Sequence, residues 1–289
     1  MHHILAHQND TGQINLLKAS SVAYKKAKSK EFLFTYALCF LAIGYPAVYI
    51  FIKNEDLKHL LFALSLLITI GSWVTADYFK GNTTKGALLK EQFDIALFKI
   101  PWRFVLRNPE PDDVVLELAG EYKDVPIKDW YPSNLSDKVP QNTAIAICQR
   151  ISCAWDIRLR ERFNIVLYFI LGIYTFAVLI LWAFKSVDGR TVFLLYFSTL
   201  SFYSHLITMI RGHRGAIKKR KEITSKLDIY IDNKKDFKEQ DLRDIQNELY
   251  YIRQEPSKIP DYYCRLYNPK IARLFSEYVE NINGLYNKA

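Results

Sequence analysis

Three groups of side chains in this sequence have the types and spacing that catalysis or ligand binding requires. Glu91 and Asp94 lie three residues apart, which puts two carboxylates on one helix face, as acid–base catalysis would need. The segment 211–221 carries six cations in eleven residues, a density suited to an anionic partner. The third group, on one face of an apolar segment, is Ser198, Ser201, His205 and Thr208.

Polar side chains inside an apolar segment either hold helices together or line water. Because His205 is ionisable, we expect the third group to line a pore, with bonding between helices as the alternative. For the cationic segment, the alternative to an anionic ligand is anchoring at anionic lipid headgroups.

The carboxylates have a structural interpretation that we favour over a catalytic one. The sequence contains no Walker loop, no GxSxG and no HExxH, and its four cysteines are too few and too scattered for a zinc site or a disulfide scaffold. We therefore expect no metal, no cofactor and no enzymatic activity. Glu91 and Asp94 are expected to pair with Arg150, Arg158 or Arg162 on a facing helix.

Aromatic, cationic and amide groups also meet in or beside loops, at Trp102-Arg103, at 128–131 and at Gln149-Arg150. Such groups suit a nucleotide, since bases stack on aromatic rings while cations hold phosphates. Packing of the tryptophans is the alternative. The candidate ligand-binding residues are Arg103, Lys128, Trp130, Tyr131, Arg150, Arg158, Arg214 and Lys218.

Four apolar runs must position these groups, at 32–52, 60–76, 163–184 and 191–210. At about 1.5 Å rise per residue, runs of this length match a hydrocarbon core of about 30 Å. The mean hydropathy of −0.06 therefore averages lipid-suited and charged segments. The pattern predicts an all-α membrane protein with four transmembrane helices in two hairpins, and a mostly helical cytoplasmic domain built from the middle segment and the C-terminal region.

Charge fixes the expected orientation. Only four of the 39 lysines and arginines lie in the two short links within the hairpins, so the positive-inside rule places both termini and the middle segment in the cytoplasm. We expect a multi-pass membrane protein. Its segments are 1–31 (cytoplasmic), 32–78 (hairpin 1), 79–162 (cytoplasmic), 163–210 (hairpin 2) and 211–289 (cytoplasmic).

Apolar spacing predicts how the cytoplasmic helices join the spans. An i+4 pattern continues into the third run through Ile147, Ile151, Trp155 and Leu159, which indicates one long helix entering the membrane. The second and fourth spans are also expected to continue as helices into the cytoplasm. Asn268-Pro269 is interpreted as a cap and first-turn proline that begin a C-terminal helix.

Three motifs together resemble the SMODS-associating four-transmembrane effectors, a family of pore-forming proteins in bacterial anti-phage defence. They are KEQFDIALFKIPW at 90–102, KDWYP at 128–132 and AIAICQRISCAWDIRLRERF at 144–163. The resemblance covers nearly the whole chain. Where members show a tryptophan pair, this chain has Ala154-Trp155.

The resemblance implies an effector in the bacterial inner membrane that is encoded beside a nucleotidyltransferase, whose product controls whether the membrane protein opens and depolarises the cell in an abortive infection. That product is a cyclic oligonucleotide in most such systems and a single-stranded DNA oligomer in the Hailong type. We expect a nucleotide-gated, homo-oligomeric ion channel in contact with membrane lipids, with a tetramer as the preferred assembly. A membrane-anchored scaffold or sensor without a pore is the alternative.

Overall fold

Eight α-helices account for the regular structure in the part of the chain that the structure, a computed structural model, describes. The described residues are 2–51, 54–102, 108–184, 189–232, 237–255 and 258–287. The helices are α1 (His3–His7), α2 (Thr11–Phe51), α3 (Glu55–Phe98), α4 (Asp112–Gly120), α5 (Gln141–Phe184), α6 (Gly189–Asp232), α7 (Glu239–Arg253) and α8 (Asp261–Asn287). No strand occurs among these residues, so the expected all-α fold is confirmed for them.

Four of the helices are unusually long, with 41 residues in α2 and 44 each in α3, α5 and α6. At about 1.5 Å per residue, such helices exceed 60 Å, roughly twice the thickness of a hydrocarbon core. Asn54 caps the start of α3, since its side chain accepts a hydrogen bond from the Leu57 N–H at 3.2 Å. Lys99 caps the end of α3 and adopts a left-handed φ of 57° shortly before Pro101.

The long helices pack in antiparallel pairs, α2 with α3 and α5 with α6, and α2 also contacts α4 and α6. The predicted continuity holds, because α5 runs through residue 163 and α6 runs through residue 210 without a break. The helix α2 is longer than the sequence predicted, because it begins at Thr11, 21 residues before the first apolar run.

The hydrophobic core is built mostly from the parts of these helices that lie outside the four apolar runs. Short helix α7 buries Leu242, Ile245, Leu249 and Ile252 against it. The interpretation of Asn268-Pro269 as a helix start is wrong, since α8 begins at Asp261 and continues through Pro269. Pro269 lacks an N–H and so removes one backbone hydrogen bond from the interior of α8.

Beyond the core, the long helices expose large apolar side chains that a water-soluble protein would bury. In α5, Ile165, Phe169, Ile173 and Phe176 are each 61–69% exposed. Among the described residues, the only helix that is long and apolar enough to cross a membrane by composition is α5, within Gln141–Ile180, and 17% of its most apolar stretch is buried. Contiguous exposed apolar surface of this kind marks contact with lipid or another protein.

Candidate functional site

The two carboxylates on α3 lie at the centre of a buried ionic cluster. Glu91 Oε1 lies 2.8 Å from Arg243 Nη2, and Asp94 Oδ2 lies 2.6 Å from Arg253 Nη2, with both arginines on α7. Neither carboxylate is exposed to solvent. The expected pairing with Arg150, Arg158 or Arg162 is therefore wrong, while the expectation of ion pairs is confirmed.

Hydrogen bonds occupy the remaining oxygens of these carboxylates. The Gln246 side-chain amide donates to Glu91 at 2.7 Å, and the Tyr131 hydroxyl donates to Asp94 at 2.8 Å. Burial raises the pKa of Glu91, although Arg253 opposes that effect. Burial alone would also raise the pKa of Asp94, but Lys90 and Arg253 outweigh it and hold that pKa below its ordinary value. A cluster with its oxygens already bonded is suited to joining α3 to α7.

A second ionic cluster, the junction cluster, joins α5, α6 and the chain that follows α7. Asp156 Oδ2 lies 2.6 Å from Arg160 Nε and 2.5 Å from Arg220 Nε. Arg220 also pairs with Glu255 at 3.1 Å and donates to the Ile252 carbonyl at 3.1 Å. Although burial opposes it, the two arginines hold the pKa of Asp156 well below its usual range.

His213 completes the junction cluster as a neutral imidazole. The Arg160 guanidinium donates to its Nδ1 at 2.9 Å, which requires that this nitrogen carry no proton. Burial and the neighbouring Arg160 lower its pKa to about 3. Asp156 and Arg160 lie just before residue 163, where the apolar run of α5 begins, so the junction cluster ties the buried core to the helices that continue from it.

Arginine side chains of α5 stack on aromatic rings of α8 in an ordered series that we call the arginine–aromatic ladder. The guanidinium of Arg150 lies 4.2 Å from the centre of the Tyr278 ring, that of Arg158 lies 5.7 Å from Phe275, and that of Arg162 lies 4.8 Å from Tyr267. Because the helices run in opposite directions, the partners descend along α8 as the arginines ascend along α5.

Part of the positive charge of the ladder is not neutralised by any described carboxylate and could bind an anion. Arg150 bonds Asp228 at 2.5 Å, whereas Arg158 and Arg162 have no carboxylate partner among the described residues. Trp155 adds a ring stacked on Phe275 at 5.8 Å. Guanidinium groups and aromatic rings that share one flank are the groups that hold phosphates and bases.

The eight candidate ligand-binding residues do not form one site. Lys128 and Trp130 are exposed in a loop, whereas Tyr131 is buried and bonded to Asp94. Arg150 and Arg158 belong to the ladder. Arg214 and Lys218 line a separate groove between α5 and α6, and Arg103 lies outside the described residues. Sequence reasoning missed Tyr267 and Tyr278, which are partly exposed beside Arg162 and Arg150, because many tyrosines in this region also serve as core. Phe275, the ring beside Arg158, is 1% exposed and belongs to the core.

The polar face of α6 contacts a neighbouring helix. His205 Nε2 lies 2.9 Å from the Thr35 hydroxyl of α2, and the Thr208 hydroxyl donates to the Ser204 carbonyl of its own helix at 2.8 Å. The side chains of Ser198 and Ser201 lie outside the described residues. His205 therefore joins two long helices within one protomer.

The structure defines an all-helical protein in which at least one helix is suited to crossing a membrane. The profile of the SMODS-associating 4TM effector domain matches residues 2–282, and the chain belongs to this family. Membership in a 4TM family implies a membrane protein, and the resemblance seen in the sequence is confirmed.

Among curated proteins, a match of 29% identity over 183 residues is found with a Bacillus cereus (strain VD146) protein named as a probable CBASS effector molecule. The match covers 60% of each chain, so the chain spans about three fifths of that relative's length. No solved structure matches the chain.

Proposed function

We propose that this protein is the membrane effector of a CBASS-type anti-phage defence system, acting as a homo-oligomeric ion channel controlled by the nucleotide product of a partner nucleotidyltransferase. One structural observation carries the proposal: helices α2, α3, α5 and α6 each run unbroken between the ion-paired core and an apolar stretch. A ligand that moves the core therefore acts directly on the stretches that would lie in lipid.

Membrane insertion through four spans accounts for the apolar surface. The spans are residues 32–52, 60–76, 163–184 and 191–210, with both termini in the cytoplasm of the bacterial inner membrane. Exposed side chains in α2, such as Leu33 and Phe40, and in α3, such as Leu60 and Leu67, are each 63–72% exposed. Lipid would cover such surface, which water would penalise.

Pore formation requires several copies, since one protomer of four mostly apolar helices cannot surround a water-filled path. A symmetric homo-oligomer, with a tetramer as the assembly we favour, repeats one polar helix face around a central axis. The face of α6 that carries Ser198, Ser201 and Thr208 is the candidate lining, with His205 positioned beside it by Thr35.

The arginine–aromatic ladder is the proposed ligand surface. A nucleotide or a short single-stranded oligonucleotide would place phosphates on Arg158 and Arg162 and stack a base on Tyr267, the partly exposed ring of the ladder beside Arg162. Because α5 continues into the third span, a ligand that binds one packing of α8 on α5 better than another biases the position of that span. No catalytic residue is needed for such control.

Ion flux through liposomes tests the proposal. The purified full chain is reconstituted with a membrane-potential dye and exposed to the reaction mixture of the partner nucleotidyltransferase, or to a mixture made with a catalytically inactive enzyme. We expect the two mixtures to give different flux through the wild-type protein. An absence of flux with both mixtures would exclude the channel.

A matched pair of variants tests the ladder separately. Arg158→Gln with Arg162→Gln should abolish the response to the mixture while keeping the flux seen without it. The control, Lys123→Gln with Lys138→Gln, removes the same charge from exposed positions outside the ladder and should respond as the wild type does. Equal responses from both variants would place the ligand elsewhere.

A further inference from the structure

A groove of about 910 Å³ lies between α5 and α6 and has a cationic part and an apolar part. Arg214 and Lys218 of α6 supply charge, and both are exposed. Ile165 and Tyr168 of α5 supply apolar surface, at 61% and 47% exposure. We call this feature the α5/α6 groove.

The groove retains two cations that no carboxylate neutralises. Lys221 in its wall pairs with Glu161 at 2.6 Å, and Lys226 pairs with Glu248 at 2.8 Å. Arg214 and Lys218 have no ion pair among the described residues. Glu222 is the remaining acid of the wall, so the groove keeps a positive balance.

The wall also holds an amide with unused hydrogen-bonding capacity. Asn164 is 6% exposed and lines the groove, and its Oδ1 has no hydrogen-bond partner in the described part of the chain. Buried polar atoms are rarely left unpaired in native proteins, so such an atom in a groove wall points to a ligand that carries a donor.

The position of the groove along α5 and α6 favours a lipid as its ligand. Ile165 and Tyr168 belong to the apolar stretch of α5 that begins at residue 163, whereas Arg214 and Lys218 follow the fourth apolar run at its cytoplasmic end. The groove therefore crosses the level at which headgroups meet acyl chains, and tyrosine is typical of that level. This step rests on the membrane insertion proposed above.

We propose that the α5/α6 groove binds one anionic phospholipid of the cytoplasmic leaflet. The lipid phosphate contacts Arg214 and Lys218, a headgroup hydroxyl donates to Asn164, and an acyl chain covers Ile165 and Tyr168. A free nucleotide satisfies the cations equally well but leaves the apolar side chains in water. Phosphatidylglycerol has all three features that the groove matches: one negative charge, headgroup hydroxyls and acyl chains.

Native mass spectrometry of the full chain in detergent tests this proposal by titration with phosphatidylglycerol or phosphatidylcholine of the same acyl chains. Phosphatidylglycerol should bind the wild type at least tenfold more tightly. Arg214→Gln with Lys218→Gln should weaken its binding roughly thirtyfold, as expected for loss of two cations near a charged lipid. The double control Lys123→Gln with Lys138→Gln should leave lipid binding unchanged.

Three results would overturn the proposal. The first is equal retention of phosphatidylglycerol by the groove variant and the control. The second is displacement of the lipid by ATP, which would assign the cations to a free phosphate compound. The third is a change from oligomer to monomer in the groove variant with lipid adducts unaltered, which would make the groove a contact between copies.

The failure of this proposal differs from a failure of membrane insertion. Flotation of the wild-type protein with liposomes, at high salt and alkaline pH, reports insertion without reference to the groove. A protein that floats but shows no preference for phosphatidylglycerol refutes the lipid site alone. A protein that remains at the bottom of the gradient refutes insertion and, with it, the lipid site.

Discussion

Arg243 of α7 and Glu91 of α3 form an ion pair at 2.8 Å in which the side chains are 1% and 0% exposed. The two residues lie 152 positions apart in the chain. Removing one partner of such a pair leaves the other as a buried, uncompensated charge, which costs far more than the loss of an exposed ion pair. The pair therefore fixes the C-terminal region to a helix that continues from the first hairpin.

Arg243→Met should destabilise the protein by about 3–5 kcal/mol, because Glu91 then loses its closest cation inside the core. The matched control is Arg273→Met, which removes an arginine that is 85% exposed and lies 3.0 Å from Glu277. Its effect should stay below about 1 kcal/mol. Thermal unfolding in detergent measures both, and equal shifts would show that the buried pair is dispensable.

His213→Gln should remove part of the acid sensitivity of the fold. The unfolded chain takes up a proton at histidine below about pH 6.5, whereas folded His213 resists protonation until about pH 3. The contribution of neutral His213 to the free energy of unfolding is therefore complete above pH 6.5. As the pH falls below that value, the free energy of unfolding decreases by up to about 1.4 kcal/mol per pH unit. Thermal unfolding at pH 7.5 and 5.5 should show a smaller decrease for the variant, whose side chain can still accept from Arg160. An identical decrease would argue against a neutral buried His213.

Gly86→Ala should destabilise the pairing of α2 with α3. A Cβ at Gly86 would lie 2.9 Å from the Tyr24 ring, which is fixed because its hydroxyl donates to the Arg253 carbonyl at 3.2 Å. The expected cost is about 1–3 kcal/mol. Gly81→Ala on the same helix meets nothing within 4 Å and should stabilise by up to about 1 kcal/mol. Changes of the same sign in the free energy of unfolding of the two variants would contradict the close approach of Gly86 to the Tyr24 ring.

Thr35→Val and His205→Leu should be coupled in a double-mutant cycle. Hydrogen bonds between membrane helices contribute about 0.6 kcal/mol on average, so the two single variants should together cost about that much more than the double variant does. Unfolding in mixed micelles measures the cycle. Additive effects, combined with a change of ion flux for His205→Leu alone, would instead assign His205 to the lining of the pore.

Periodic apolar sequence predicted the helices that matter most for this architecture. The helical spacing of Ile147, Ile151 and Leu159 predicts α5 upstream of its apolar stretch, because the same spacing continues from the charged segment into the apolar one. The start of α2 gave no such signal. Its buried face there contains Ala19, Ala23 and Ala27, which are too small to raise hydropathy above that of the surrounding lysines.

Partners that lie far apart in sequence could not be assigned from spacing. Local charge pattern suggested arginines of α5 for Glu91 and Asp94, whereas the folded chain brings Arg243 and Arg253 from α7. The same limit applies to the ladder. Arg150 and Arg158 were identifiable by type, but their rings, Tyr278 and Phe275, are set by the antiparallel packing of α8 on α5.

The central claim, two hairpins that cross the membrane with both termini inside, is tested most directly by cysteine accessibility in intact spheroplasts. In a background with the four native cysteines replaced by serine, a membrane-impermeant maleimide should label Asp56→Cys and Asp188→Cys, one in each short link. Lys123→Cys and Lys138→Cys should react only after permeabilisation. Labelling of the second pair in intact cells, or protection of the first pair until permeabilisation, would contradict the four-span topology.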